Sequence, residues 1–332
     1  MMIDNKALAK FGAIIGADGG GTGGGTGGGG DDWVVGDGKT RLHITVDSEE
    51  RKYVAFEIAG YKNRNNQYTT DVCTAVNWGD GSAIEEKGGS SKVTYDHTYS
   101  KTGDYIIEID VAEEYYAYVT FGGASNTSAN AFKFSYYRML KKAEIGNKAK
   151  HTTNSFANCV SLEDVFVSDE LLSIAEKEFL NCNFLKNVSL PVGMKTINAE
   201  AFSGCRTLRH ISIPTSVTTI GANAFQSCNC LTDVVIPDGV TSIADSAFYG
   251  CQSFVLVKIP KGVSNIASRA FYQCYGVKSY DFTNHEAVPI LAATNAFQYI
   301  PSDCEIRVPA ALYDEWIAAT NWSTYADYIV GV

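Results

Sequence analysis

Apolar residues in the second half of this chain fall in fixed slots, and the slots recur every 23 residues. The anchor is a phenylalanine: Phe156, Phe179, Phe202, Phe225, Phe248 and Phe271. Three residues after each stands a cysteine (Cys159, Cys182, Cys205, Cys228, Cys251, Cys274), and six after it an apolar residue (Leu162, Leu185, Leu208, Leu231, Phe254, Val277). Two more follow at nine and eleven, as in Ile211 and Ile213, Val234 and Ile236, or Val257 and Ile259. Their spacing of two is strand alternation, with both side chains on one face. Proline then closes the strand in four repeats (Pro191, Pro214, Pro237, Pro260), because it cannot donate to a ladder. Apolar residues return at fifteen and eighteen, as Val217 and Ile220 or Val240 and Ile243. Alanine (Ala201, Ala224, Ala247, Ala270) precedes the next phenylalanine, where coils must approach closely.

A register held that long is a tandem array. Each coil is expected to carry one short strand and several inward apolar residues that it cannot bury alone. Stacking puts like over like at roughly the ~4.8 Å spacing of a parallel sheet. A degenerate coil precedes the regular ones (Phe134, Leu140, Ala143, Ile145), and a stretched one ends at Phe297 and Cys304. Irregular end coils are what capping an array requires. The pattern I-x-x-x-A-F-x-x-C-x-x-L-x-x-[VI]-x-[IV]-P-x-x-V-x-x closely resembles the BspA-like leucine-rich repeat family, over about residues 134–304. The resemblance implies a curved right-handed solenoid with a parallel sheet on one face. It also implies microbial surfaces, adhesion or host contact, and no catalytic residues to carry over.

Six of the nine cysteines share one structural slot, which favours core over chemistry. Neighbours in such a ladder have parallel Cβ vectors, leaving the Cβ atoms near ~4.8 Å rather than the ~3.8 Å a disulfide wants. Free, buried thiols acting as small hydrophobes are the expectation. Cys228 and Cys230 form a C-x-C, but no second pair or nearby histidine completes a zinc site.

Between residues 41 and 121 the apolar period is two. Leu42 to Val46, Tyr53 to Ile58, Thr74 to Trp78, Val93 to Tyr95, Tyr105 to Ile109 and Tyr115 to Phe121 read as short strands with Gly, Asn and Asp turns between them, a β-sandwich pattern. Within it stand Trp78-Gly79-Asp80-Gly81-Ser82 and then Asp96-His97-Thr98-Tyr99, followed by Gly103-x-Tyr105. These motifs resemble those of PKD-type immunoglobulin-like domains, which implies a spacer or display module without chemistry of its own. Asp80 and Gly81 suit a tight turn, and Tyr99 and Tyr105 suit core packing near a sheet corner. Gly38-Lys39-Thr40 looks like the end of a phosphate-binding loop. The glycine needed five residues earlier is Trp33, however, and a strand follows where a helix should start.

Five regions are therefore expected. They are a docking segment (1–15), a glycine-rich flexible linker (16–38), a PKD/Ig-like β-sandwich (39–123), leucine-rich repeats (124–304) and a C-terminal cap (305–332). In the cap, Pro309 opens a helix bearing Leu312, Trp316 and Ile317 on one face. Asn321-Trp322 ends it, and Tyr325 to Val332 is expected to trail off. The fold class is mainly β with short helical and turn segments.

Composition narrows the function. Net charge −10 without a basic run argues against nucleic acid or an anionic membrane, and no run reaches the ~18 apolar residues of a membrane span. The apolar run Phe11 to Ile15 is too short for a Sec signal. His43, His97, His151, His210 and His285 fall in separate regions, and none pairs by spacing with an acid or a nucleophile. Asp31, Asp32 and Asp37 read as a solvated linker end rather than a calcium site. No enzyme, cofactor or metal is expected. What remains is recognition by outward positions that vary while inward ones hold: His210, Asp233, Tyr249, Val255, Leu256, Lys258, Tyr272 and Tyr275 are the candidate contacts. The expected partner is a protein or glycan on a cell surface. The expected setting is a phage-type receptor-binding or virion protein docked by its N-terminus, or alternatively a bacterial cell-surface adhesin.

Overall fold

The computed structural model describes residues 39–48, 52–62, 72–88, 93–111, 115–120, 138–146, 149–150 and 155–332. The chain divides into two units, Met1–Asp37 and Gly38–Val332, and every described residue belongs to the second. The expected docking segment and linker, Asp31, Asp32, Asp37, Phe134 and His151 lie outside the described residues.

Seven strands come first: β1 (Thr40–Val46), β2 (Tyr53–Lys62), β3 (Val72–Asn77), β4 (Glu85–Gly88), β5 (Val93–Thr98), β6 (Gly103–Val111) and β7 (Tyr115–Thr120). They pair antiparallel in two groups, β1-β6-β3-β4 and β5-β2-β7. Alternation buries Leu42, Ile44 and Val46 on β1 and Val54, Phe56 and Ile58 on β2. The groups meet where Phe56 lies 5.5 Å from Trp78 and where the Thr74 and Tyr95 hydroxyls bond at 2.6 Å. β4, a Glu-Glu-Lys-Gly edge strand, has no apolar alternation by which the sequence could announce it; charge on an edge deters foreign strands.

The next strand, β8 (Leu140–Ile145), joins this region to the repeats. It lies antiparallel to β1 on one side and parallel to β10 (Asp164–Val167) on the other, while β9 (Ala149–Lys150) pairs with β7. One sheet therefore runs β12-β10-β8-β1-β6-β3-β4, where β12 is Asn187–Ser189. β1 covers the edge that the first coil would otherwise leave open. A buried Arg41 spans the junction, bonding Glu108 at 3.0 Å and Glu144 at 3.2 Å.

From Phe156 the coils stack in register, Asp164 against Asn187 and Val165 against Val188. The expectation of one strand per coil needs correction. A second line of two-residue strands runs at slots seventeen and eighteen: β11 (Ser173–Ile174), β13 (Thr196–Ile197), β14 (Thr219–Ile220), β15 (Ser242–Ile243) and β17 (Asn265–Ile266), with β19 (Ile290–Leu291) two slots later in the stretched last coil. Two residues are too few for alternation to show. The first line continues in β16 (Leu256–Lys258), β18 (Ser279–Asp281) and β20 (Glu305–Val308). The last coil is stretched, so Ser279 pairs with Glu305 where the regular interval would give Ser302.

Inside, the phenylalanine rings from Phe156 to Phe297 stack with centroids 5.4–5.6 Å apart and planes within 12°. The slot cysteines are buried and unbridged, as their Cβ geometry led us to expect. From Cys182 on, each reaches back one coil: Cys182 donates to the Phe156 carbonyl (3.2 Å), Cys205 to Phe179 (3.3 Å) and Cys228 to Phe202 (3.2 Å). Around the phenylalanine, alternate N–H groups bond forward to the next coil: Lys177 to the carbonyl of Ala199 (3.0 Å), Phe179 to Ala201 (2.9 Å), Asn181 to Ser203 (2.7 Å). This turn puts the residues two before and two after phenylalanine in the left-handed region, as at Lys177 (φ 57°), Asn181 (59°), Glu200 (56°) and Gly204 (78°).

At the far end, a 3₁₀ turn (Ala310–Leu312), helix α1 (Tyr313–Ala318) and a 3₁₀ helix (Trp322–Tyr328) follow Pro309. Trp316 and Trp322 are buried against Phe282 at 5.3 and 5.5 Å, and Trp322 also packs 5.5 Å from Phe297. The terminus does not trail off. Ile329–Gly331 forms β21, parallel to β20, so the cap closes the sheet as well as the core.

Candidate recognition surface

Strand alternation turns slots eight and ten outward, and their occupants line up in rows because the coils stack in register. Most of the charge in these rows is matched within the rows. Asn187 Nδ2 donates to Asp164 (2.6 Å) and His210 Nδ1 lies 2.6 Å from Asp233, while beside the rows, at slot seven, Lys186 pairs with Glu163 at 2.6 Å. Farther along, Lys278 meets Asp303 at 2.6 Å. Burial alone would push the Asp281 carboxyl up. Hydrogen bonds from Thr283 (2.7 and 2.9 Å) and the Lys258 and Arg307 charges outweigh it and hold it below the ordinary range. Exposed pairs like these contribute at most about 1 kcal/mol each, so they organise the surface more than they stabilise the fold.

Between the His210–Asp233 and Lys278–Asp303 pairs apolar residues gather around one exposed cation, Lys258. Val235, Val255 and Leu256, on consecutive coils, are 77%, 55% and 56% exposed. An apolar island with a polar rim is the anatomy of a protein contact.

The structure splits the eight expected contacts. His210, Asp233, Val255, Leu256 and Lys258 share the strand face, whereas Tyr249, Tyr272 and Tyr275 sit on the turn that carries the phenylalanine. Tyr249 and Tyr272, read from sequence as exposed, are half-buried, because their rings stack on each other at 5.0 Å.

The expectation that no histidine pairs by spacing with an acid needs correction at His210, and folding adds two more pairs. His97 lies 2.8 Å from Asp80, His210 bonds Asp233, and His43 comes within 3.6 Å of Glu144. The second pair was readable, since both residues occupy slot eight of adjacent coils. The first was not, because folding alone brings β5 to the β3–β4 turn. There Gly79 and Gly81 take positive φ (79° and 83°), and the Ser82 N–H donates to Asp80 at 3.0 Å. The His97 ring stacks on Trp78 (5.0 Å, 16°) and meets Tyr99 edge-on, while the Tyr99 hydroxyl donates to the Trp78 carbonyl at 2.8 Å. Burial would raise the Asp80 carboxyl, yet hydrogen bonds from Ser82 and His97 win and hold it at about 2. A carboxylate locked in its charged form clamps a turn; it is a poor proton donor at neutral pH. Burial pushes the Cys274 and Cys304 thiols up to about 12, so they are inert. Among the described residues, no group of three or more His, Cys, Asp or Glu could hold a metal ion, and no helix is long and apolar enough to cross a membrane.

No curated protein matches the chain. Residues 119–232 and 218–313 match the BspA type leucine-rich repeat region, in six copies. Similar solved structures include a leucine-rich repeat protein of T. pallidum: 28% identity, 48% of this chain, 78% of that one, TM-score 0.45. Another is a leucine-rich cell surface protein of Faecalibacterium prausnitzii, with 25% identity, 52% of each chain and a TM-score of 0.44. A third is a leucine-rich repeat protein of Bacteroides ovatus, with 23% identity, 73% of this chain, 60% of that one and a TM-score of 0.48. The chain thus spans under two thirds of the latter two proteins.

Proposed function

The chain belongs to the BspA-type leucine-rich repeat family, and from that premise we propose that it is a non-enzymatic recognition protein, an adhesin that binds a surface protein through its strand face. The observation that carries this reading is the apolar island of Val235, Val255 and Leu256 inside a rim of paired charges. Repeated inward residues hold the rows straight, and unrepeated outward ones supply the contact. Residues 40–120, with the Trp78-to-Ser82 turn and its Asp80–His97 clamp, act in this reading as a PKD-type immunoglobulin-like spacer. The glycine-rich composition within 16–38 would, in the same reading, serve as a tether. A phage-type receptor-binding subunit is the narrower form of the proposal, with residues 1–15 docked to a particle.

The test uses immobilised full chain and a solubilised extract of cell-surface proteins. A protein retained by the wild type, lost after protease treatment of the extract and lost with V235D/L256D at unchanged melting temperature is the expected result. Retention indifferent to that double substitution sinks the strand-face assignment.

A further inference from the structure

The tyrosines of the turn make a surface of their own. Tyr249 and Tyr272 stack at 5.0 Å with planes 12° apart, and Tyr299 meets Tyr272 edge-on at 5.1 Å and 88°. Tyr275 stands three residues after Tyr272 on the same turn. Four tyrosines from three successive coils therefore share one ridge. Earlier coils carry Ala157, Leu180, Ser203 and Gln226 where Tyr249 and Tyr272 stand, so the ridge belongs to the last coils alone.

Two observations separate this ridge from folding. Tyr275 and Tyr299 are 49% and 53% exposed, so neither is core. Tyr299 also has φ 69°, at a slot where the other six coils place Asn158, Asn181, Gly204, Ser227, Gly250 and Gln273. The turn imposes this conformation on every coil, so what sets the last one apart is a large exposed ring at a slot the others fill with Asn, Gly, Ser or Gln.

The surrounding chemistry is neutral. Gln252 and Gln298 are exposed beside the tyrosines, and the charges of these turns, Asp245 and Arg269, pair with each other at 3.4 Å. Among the described residues the ridge has no spare cation for a phosphate, sulfate or carboxylate. Its charge is confined to that one pair, whereas the strand face is bordered by two, His210–Asp233 and Lys278–Asp303. It offers aromatic rings, phenol hydroxyls and amides, each able to donate or accept without carrying charge. We propose that this ridge binds a neutral oligosaccharide, with sugar C–H faces on Tyr275 and Tyr299 and sugar hydroxyls bonded to the phenols and to Gln252 and Gln298. The site is separate from the strand face and does not depend on it.

The full chain is titrated by calorimetry with maltohexaose, cellohexaose, laminarihexaose, chitohexaose and mannohexaose. At least one binds, with an affinity that stays level between about 50 and 500 mM salt, as an uncharged contact must. Y275A and Y299G each weaken it roughly tenfold or more, a loss readable as a shift in Kd. Y299G melts no lower than wild type, because glycine relieves the left-handed residue. The proposal fails if none of the five binds, or if both variants bind as well as wild type. It also fails if Y299G lowers the melting temperature, which would give Tyr299 a packing role. A protein probe lost with Y275A, in a chain that binds no saccharide, would make the ridge a protein contact and overturn it too.

Discussion

In the antiparallel strands between Thr40 and Thr120, the core is built mostly of contacts between unlike residues; in the coils from Phe156 to Phe297, the phenylalanine of each coil has a copy of itself above or below. The first region is held by singular contacts, such as the Tyr99 hydroxyl on the Trp78 carbonyl or Tyr95 against Thr74. The second is held by one contact made many times over, ring on ring and thiol on carbonyl. The difference teaches where each region can change. A singular contact has no substitute elsewhere, whereas a repeated one spreads the load over nearest-neighbour interfaces and frees every outward position to vary. The proposed recognition accordingly falls on the coils.

The strongest challenge to this contrast is F225A. Removing one ring from the middle of the stack should cost about 3–5 kcal/mol, read as a lower denaturant midpoint. If neighbour interfaces carry the array, hydrogen exchange should rise across residues 202–271 while β1, β2 and β6 keep their protection. An equal loss in both regions would mean that the shared β8–β1 pairing fuses them into a single cooperative unit.

A smaller effect is expected from Y99F, which leaves the buried Trp78 carbonyl without its donor and should cost roughly 1–3 kcal/mol. Here exchange should rise in β3, β5 and β6 and stay level in the coils. Acid should act on the same spot. The Asp80 carboxyl sits at about 2, below its ordinary value of 3.8, so its contribution is present above about pH 4 and lost as pH falls toward 2. Thermal melts across that window should show a steeper decline for wild type than for D80N, by on the order of 1 kcal/mol.

The smallest expected change is a gain. Ser227 holds a left-handed slot (φ 59°) that glycine fills at Gly204 and Gly250. S227G should raise stability by no more than about 1 kcal/mol, the relieved strain being partly offset by a more flexible unfolded chain.

How much of this was legible depended on whether a feature repeats with a distinctive residue. The phenylalanine and cysteine slots do, and the stacked rings and free thiols follow from them. The left-handed turn repeats in every coil but was hidden, because Lys177, Asn181, Glu200, Asn223 and Gln273 occupy it as well as glycine. The second strand line hid in two-residue segments, and β21 hid because its only signal is pairing with β20. The His210–Asp233 contact could have been read by asking which outward residues share a slot. Ladder logic also corrects the tyrosines: Tyr249 and Tyr272 stand 23 residues apart, so they had to cover each other. The Asp80–His97 clamp, by contrast, joins two strands whose meeting no local pattern encodes.

The central claim is that recognition resides on the strand face and not wherever apolar surface shows. Val192 tests it, since it is 76% exposed, more than Leu256, but follows Pro191 in a turn away from the strand rows. Retention of one cell-surface protein should be measured on full-length wild type, V192D and L256D side by side, with melting temperatures matched. Loss with L256D and wild-type retention with V192D is the predicted result; equal loss in both, or loss with V192D alone, would contradict it.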